Sequence, residues 1–395
     1  MLPIAKKPHP LWGRIFSAPL FPVPYAGAPE LAQAWRRPDY SLPSAAELRY
    51  SIFFNGALKA VKKPLPNVYE RVPDLTLHHL KDVVLHKGAA ISPRGAIFPD
   101  RGTLKPEKGL GGNLFIGALL HCVKPLNEQG RFVCLEPPPT EEQIIEDPVM
   151  LFCGSAAYGH LILEYLPMLW VAEFRPLPKL LIWSGHYPVL AELAEMFGRP
   201  AGDFVFFNSG TVFCKNLFIA SRPFMNCSYY SDEARRIYRK IAEYFSGTAK
   251  AEHSKIYVSR LKFGEKSNRR RLLNEAECEE IFKEHGFTVI YPENMPFGEQ
   301  VKYFSGADYV AGPLGSALHN IVFSLKPKRR LMALLPREGP NPDNYIFIEN
   351  SNGAAEPLLL FGHYLDEISD RDILSAPWRL DLTDLKKALP LWLKK

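Results

Sequence analysis

The sequence predicts an α/β protein made of two Rossmann-like, doubly wound domains that face a cleft. Three observations carry that reading. Short apolar strands alternate with helical stretches from about residue 145 to residue 335. The links between them are short, which is the sequence sign of a mostly parallel sheet covered by helices. A polar break at Gly247–His253 divides the alternation in two.

In the first half, Val83–Gly88 and Gly95–Asp100 read as two short strands around a turn, and Val149–Cys153 as a buried strand. Residues His160–Trp170 then read as an amphipathic helix, Lys179–Trp183 as a strand and Pro188–Phe197 as a helix. Phe204–Phe207 and Asn216–Ala220 read as strands and Asp232–Phe245 as a long helix. In the second half, a strand at Lys255–Arg260 precedes a helix at Leu273–His285, with Asn274 as its expected cap and Gly286 closing it. Strands at Thr288–Tyr291, Ala307–Ala311 and Arg330–Leu335 alternate with helices at Pro296–Ser305 and Ala317–Ser324. The domain expectation is therefore a Pro-rich extension over 1–74, a first α/β domain over 75–246 and a second over 254–375. A terminal helix over 376–395 is expected to pack back on the first domain.

Composition bounds the chemistry. Apolar residues make up 47 % and charged residues 23 % of 395, ordinary for a chain that buries a core. Lys and Arg number 48 against 42 Asp and Glu, a net charge of +6. That excess suits a polyanionic small molecule, with peripheral contact at an anionic membrane surface at most. No arginine-rich run with interleaved aromatics points to nucleic acid. Lys326, Lys328, Arg329 and Arg330 read as a solvated loop. Six cysteines without a Cys-x-x-Cys pair fit a reducing compartment. No apolar run follows the basic N-terminus as a signal peptide would require. The most apolar window, Met150–Phe174, contains His160, Glu164 and Pro167 and reads as buried protein. The expected location is cytoplasmic, at most peripheral to the inner face of the membrane.

Three constellations could carry chemistry. The turn Gly312-Pro313-Leu314-Gly315-Ser316 follows a buried strand and opens a helix with His319 and Asn320. Small residues there let a ligand approach the backbone, and first-turn N–H groups favour an anion. The same pattern also serves as a plain strand-to-helix turn. The second is Tyr257-Val258-Ser259-Arg260 with Arg269-Arg270-Arg271 and Asn274-Glu275. Guanidinium groups at a strand end bind phosphate bidentately, or form a solvated basic loop. The third is His160 with Glu164, i and i+4 on one helix face. A histidine suits general-base work at neutral pH, and equally a hydrogen-bonded core position. Glycines 109–112 lack a P-loop ending, and Gly-x-Ser-x-Gly is absent. No Asp-x-Asp pair or zinc spacing stands out, so no metal is expected.

Together these pieces resemble glycosyltransferase family 61, the group that includes capsular-polysaccharide proteins. The order runs Tyr158-Gly159-His160, Tyr257-Val258-Ser259-Arg260, Arg271-Leu272-Leu273-Asn274-Glu275, Gly286-Phe287, Phe297-Gly298-Glu299-Gln300 and Gly312-Pro313 to Asn320. Two departures stand out: Leu314 replaces the family's usual turn histidine, and His319 replaces a threonine. The resemblance implies a GT-B-like fold and a nucleotide-sugar donor as substrate, with no other cofactor and no metal. It implies inverting transfer of a hexosyl or pentosyl group to a glycan acceptor, in surface or capsular polysaccharide synthesis. His160, with Glu164, would be the base. Arg260, Arg271, Asn274, Glu299, Gln300, Gly312, Pro313, Gly315, Ser316, His319 and Asn320 would hold the donor. A non-catalytic scaffold of a polysaccharide assembly complex and a pyruvyl transferase are the alternatives.

Overall fold

The computed structural model describes residues 4–5, 21–22, 47–65, 75, 77–86, 89–91, 96–99, 123–125, 132–134, 142–153, 158–173, 178–183, 187–198, 203–207, 211–247, 253–266, 270–337, 341–365 and 376–394. The chain is mixed α/β with two large, partly parallel sheets. It groups into two compact units, one of residues 1–39 and 74–223, the other of 40–73 and 224–395. Glycines 109–112 lie outside the described residues.

The first unit holds a ten-stranded sheet among its described residues. Its parallel part places Phe204–Phe207, Lys179–Trp183, Val149–Cys153 and Thr211–Ala220 side by side. In chain order this is 3-2-1-4, so the topology reverses between Val149–Cys153 and Thr211–Ala220. In open α/β sheets a ligand binds outside the carboxyl ends of the strands at such a reversal. Leu77–His86 runs antiparallel to Thr211–Ala220 and extends the sheet. The core gathers Leu80, Val83, Leu85, Ile145, Val149 and Leu217. The stretch read as an amphipathic helix is instead a turn of α-helix (Tyr158–His160), a π-helix (Leu161–Tyr165) and a 3-10 helix (Leu166–Glu173). From Leu161 to Val171, only Glu164 and Pro167 are not among the buried hydrophobics. A segment apolar on every side has no solvent face to set an α-helical period, and the backbone is wound to fit the core.

The second unit holds an eight-stranded sheet. Thr288–Ile290, Lys255–Val258, Tyr309–Pro313, Arg330–Pro336 and Leu358–Tyr364 lie side by side and parallel. Their chain order is 2-1-3-4-5, and the reversal falls between Lys255–Val258 and Tyr309–Pro313. Glu47–Phe54, expected in an irregular extension, adds as a sixth parallel strand on Leu358–Tyr364. Ala57–Pro64 closes the sheet as an antiparallel edge. Asn55 and Gly56 both have positive φ (50° and 76°), as a two-residue hairpin turn requires. Glu47–Phe54 buries Leu48 on one face and Ser51 and Phe53 on the other, so the strand is covered in part on both sides.

Helices of the second unit follow local rules in part. Ser231 caps Asp232–Ser246 by accepting from the Ala234 N–H at 3.1 Å. That helix, expected in the first domain, groups with the second unit, which resumes at Phe224. Gly286 closes Glu275–Glu284 with φ 79°. Asn274 precedes that helix without capping it, because its side chain bonds Leu380 instead. Leu382–Lys394, expected to reach the first domain, buries Leu385, Ala388, Leu389 and Trp392 in the second unit's own core with Tyr257 and Phe287. Arg329, read as part of a solvated loop, is 3 % exposed and ion-paired with fully buried Glu349 at 2.5 Å. No helix among the described residues is long and apolar enough to cross a membrane.

Candidate functional site

At the reversal in the second unit, two strands end in residues able to hold an anion. Gly312 lets those strands approach: a Cβ there would sit 2.5 Å from the Val258 carbonyl oxygen. Gly315 plays the same part against a side chain, since its Cβ would collide with the Arg260 guanidinium. Arg260 is therefore laid along the turn that opens the 3-10 helix Ser316–Phe323. Its backbone N–H donates to Glu275 Oε1 at 2.7 Å, and its guanidinium carbon lies 4.7 Å from the Phe263 ring centre. Burial, and next the charge of Arg270, pull the Arg260 pKa down.

Arg270 stands in a strained backbone state, with φ 54°. Its position is set from far along the chain by Trp378, which is 1 % exposed. The Trp378 indole N–H donates to the Arg270 carbonyl at 3.2 Å, and the Trp378 backbone pairs with Arg271 and Leu273. The Arg270 Nε is buried without a hydrogen-bond partner, and no carboxylate pairs with this side chain among the described residues. Two like charges held close in a half-buried site repel, and a bound anion relieves that repulsion. Arg271, expected to hold the donor, is exposed. The Trp378 clamp turns Arg270, not Arg271, into the company of Arg260.

The wall opposite comes from the helix Asp343–Ser351. Tyr345 donates its hydroxyl to the Gly315 carbonyl at 2.9 Å and stacks on His319, with ring centres 4.6 Å apart. Asn344 Nδ2 lies 3.3 Å from His319 Nε2. Burial pushes the Tyr345 phenol up against the opposing pull of Arg270 and Arg260, so it stays a neutral donor. Asn344 and Tyr345 were not among the residues singled out from sequence, and Arg270 was singled out only within the run Arg269-Arg270-Arg271. A run of three arginines signalled the last, but nothing local marked the other two.

Other predicted donor residues have structural work. Asn320 donates to Gln300 Oε1 at 2.9 Å, and Gln300 donates to the carbonyls of Pro292 (2.9 Å) and Met295 (3.1 Å). This buried amide chain ties two helices to a loop. Glu299 is exposed and Asn274 is spent on Leu380. Pro313 is buried, and Leu314 is 4 % exposed with its N–H on Leu334, so the leucine is a core residue. Ser316 is half-buried at the start of its helix. Below the turn, Glu275 and Glu279 share the Ser259 hydroxyl, at 3.3 and 2.6 Å. Burial raises the Glu275 carboxyl to about 7.

The first unit has its own polar group at its reversal. His160 Nδ1 lies 2.6 Å from Glu164 Oε1, and Glu164 Oε2 pairs with Arg222 Nη1. Val149–Cys153 leads to His160, and Thr211–Ala220 leads to Arg222. A carboxylate only accepts, so Nδ1 carries a proton and donates it to Glu164. No group of three or more His, Cys, Asp or Glu able to hold a metal occurs among the described residues.

Part of the chain is similar to a known family. Residues 158–332 match the family model described as Glycosyltransferase 61. That stretch runs from the start of the His160 helix through the Gly312–Ser316 turn, and is similar to glycosyltransferases of that family. Comparison with curated proteins gives no match.

Proposed function

We propose that this protein is a glycosyltransferase that moves a hexosyl or pentosyl group from a nucleotide-sugar donor to a glycan acceptor. The observation that carries the reading is the half-buried Arg260–Arg270 pair at the reversal of a 2-1-3-4-5 sheet. That is where a doubly wound domain binds a phosphorylated ligand. The donor's diphosphate sits against both guanidinium groups and the first-turn amides of Ser316–Phe323. His319 and Asn344 contact the donor next to it. The two units are read as the acceptor and donor halves of a GT-B-like enzyme, acting in surface polysaccharide synthesis.

Chemistry follows as one inverting displacement. The acceptor oxygen bonds to the anomeric carbon while the bond from that carbon to the diphosphate oxygen breaks. The bonding pair leaves with the diphosphate, where Arg260 and Arg270 stabilise the growing charge. The hydroxyl proton passes to His160 Nε2. No metal is assigned to the step.

Thermal-shift binding against nucleotides and nucleotide sugars tests this, with and without added divalent cations. A ligand that binds only the native state raises the melting temperature by mass action. One nucleotide family should stabilise the protein without added metal, and Arg270→Gln should abolish the shift. No shift at millimolar concentration refutes the donor site. A shift without transfer to any acceptor glycan favours a binding or scaffold role, for which the buried Leu314 in place of the family's turn histidine is the supporting feature.

A further inference from the structure

Arg222 is an arginine 3 % exposed that follows the strand Thr211–Ala220. Its Nη1 pairs with Glu164 Oε2, and its guanidinium carbon lies 4.6 Å from the centre of the Tyr165 ring. The ring covers one face of the guanidinium and the carboxylate takes its edge, so the side chain has little freedom. The other carboxylate oxygen, Glu164 Oε1, holds His160 Nδ1 at 2.6 Å. Glu164 sits in the π-helical turn Leu161–Tyr165, a widened turn of the kind found at functional sites. Glu164 is 14 % exposed and His160 36 %, so the chain runs from a buried cation to a solvent-reaching ring.

We infer that Arg222 is a positioning residue for the transfer reaction. It anchors Glu164 so that the carboxylate fixes the tautomer and ring plane of His160, leaving Nε2 to take the acceptor's proton. This rests on the reading of His160 as the base. Arg222 gains and loses no proton in the step. Its charge balances the buried carboxylate, and its one geometry fixes which carboxylate oxygen faces the imidazole. A lysine could supply the charge and reach Glu164. A glutamine could supply a hydrogen bond without the charge.

The test uses the full chain with ¹⁵N-labelled histidine rings, the His160 signals being those lost in His160→Gln. In the native protein His160 should show a protonated Nδ1 and an unprotonated Nε2. Arg222→Lys should keep that pattern. Arg222→Gln should replace it with mixed tautomers or a doubly protonated ring, and should lower kcat about tenfold or more with little change in KM. A folded Arg222→Gln protein with unchanged His160 signals overturns the inference. If that variant does not fold, Glu164→Gln decides with Arg222 in place: loss of the fixed tautomer supports the inference, and an unchanged tautomer overturns it. If the tautomer responds as stated but His160→Ala transfers normally, the base assignment fails and the orienting role of Arg222 stands.

Discussion

Replacing Glu275 by Gln gives a stability change whose pH dependence can be worked from the structure. Burial, opposed in part by the Arg260 N–H, lifts the Glu275 carboxyl from an ordinary value of 4.5 to about 7. In the unfolded chain the proton leaves near pH 4.5, whereas the folded protein holds it to about pH 7. Between those limits the folded state binds more protons, so this group's contribution to stability falls as pH rises and is level above the window. At about 1.4 kcal/mol per tenfold change in proton affinity, the gap amounts to about 3 kcal/mol. Glutamine keeps an oxygen to accept the Arg260 N–H and carries no charge to bury. Denaturant unfolding of both proteins at pH 4.5, 6 and 8 should therefore show Glu275→Gln gaining on the native protein as pH rises. The gain should approach about 3 kcal/mol at pH 8, with other titrating groups cancelling in the difference. A difference between the two proteins that stays constant with pH refutes the reasoning.

Two further perturbations test the pocket itself. Gly315→Ala forces the Arg260 guanidinium aside, and should weaken nucleotide binding in the thermal-shift assay while leaving the melting temperature of the unliganded protein within a few degrees. Trp378→Ala should cost about 3–5 kcal/mol by denaturant unfolding, the usual range for a buried tryptophan. It should also abolish the nucleotide shift at temperatures where the variant is folded, because Arg270 loses the indole that holds its carbonyl.

Local pattern and distant partners divide what could be read from the chain. The strand–helix alternation, the turn at Gly312–Ser316 and the ends of its two flanking strands follow from runs of apolar residues and from glycine, which act within a few positions. His160 and Glu164 could be paired because their spacing joins them whatever surrounds them. Arg222 could not be added to that pair, since it arrives from another strand 58 residues later. Arg270 and Arg271 are alike in sequence, and the choice between them is made by Trp378, 108 residues away. Asn274 and Asn320 carry side chains fit for a ligand, yet buried backbone and amide groups claim them first. Ala45–Asn55 reads from sequence only as a possible short helix and strand, because what joins Glu47–Phe54 to the sheet is a partner at the far end of the chain.

The pairing of Glu47–Phe54 with Leu358–Tyr364 has a consequence for how the chain comes to be made. Arg49 and Asn350, which exchange hydrogen bonds beside that seam, are 301 residues apart. At roughly 5–20 residues per second, the ribosome takes about 15–60 s to deliver the second after the first. Throughout that interval the early hairpin has no sheet to join, and its apolar side chains, Leu48 on one face and Phe53 on the other, must be kept from other chains. Conversely, a polypeptide trimmed to residues 158–332 would contain neither Leu358–Tyr364 nor Glu47–Phe54 and only the first three residues of Arg330–Pro336, so Gly312 and Pro313 would lose their strand partners and the sheet would end on a bare margin. The stretch that carries the family likeness thus takes in parts of both units, and the second of them has its first strand synthesised long before the rest.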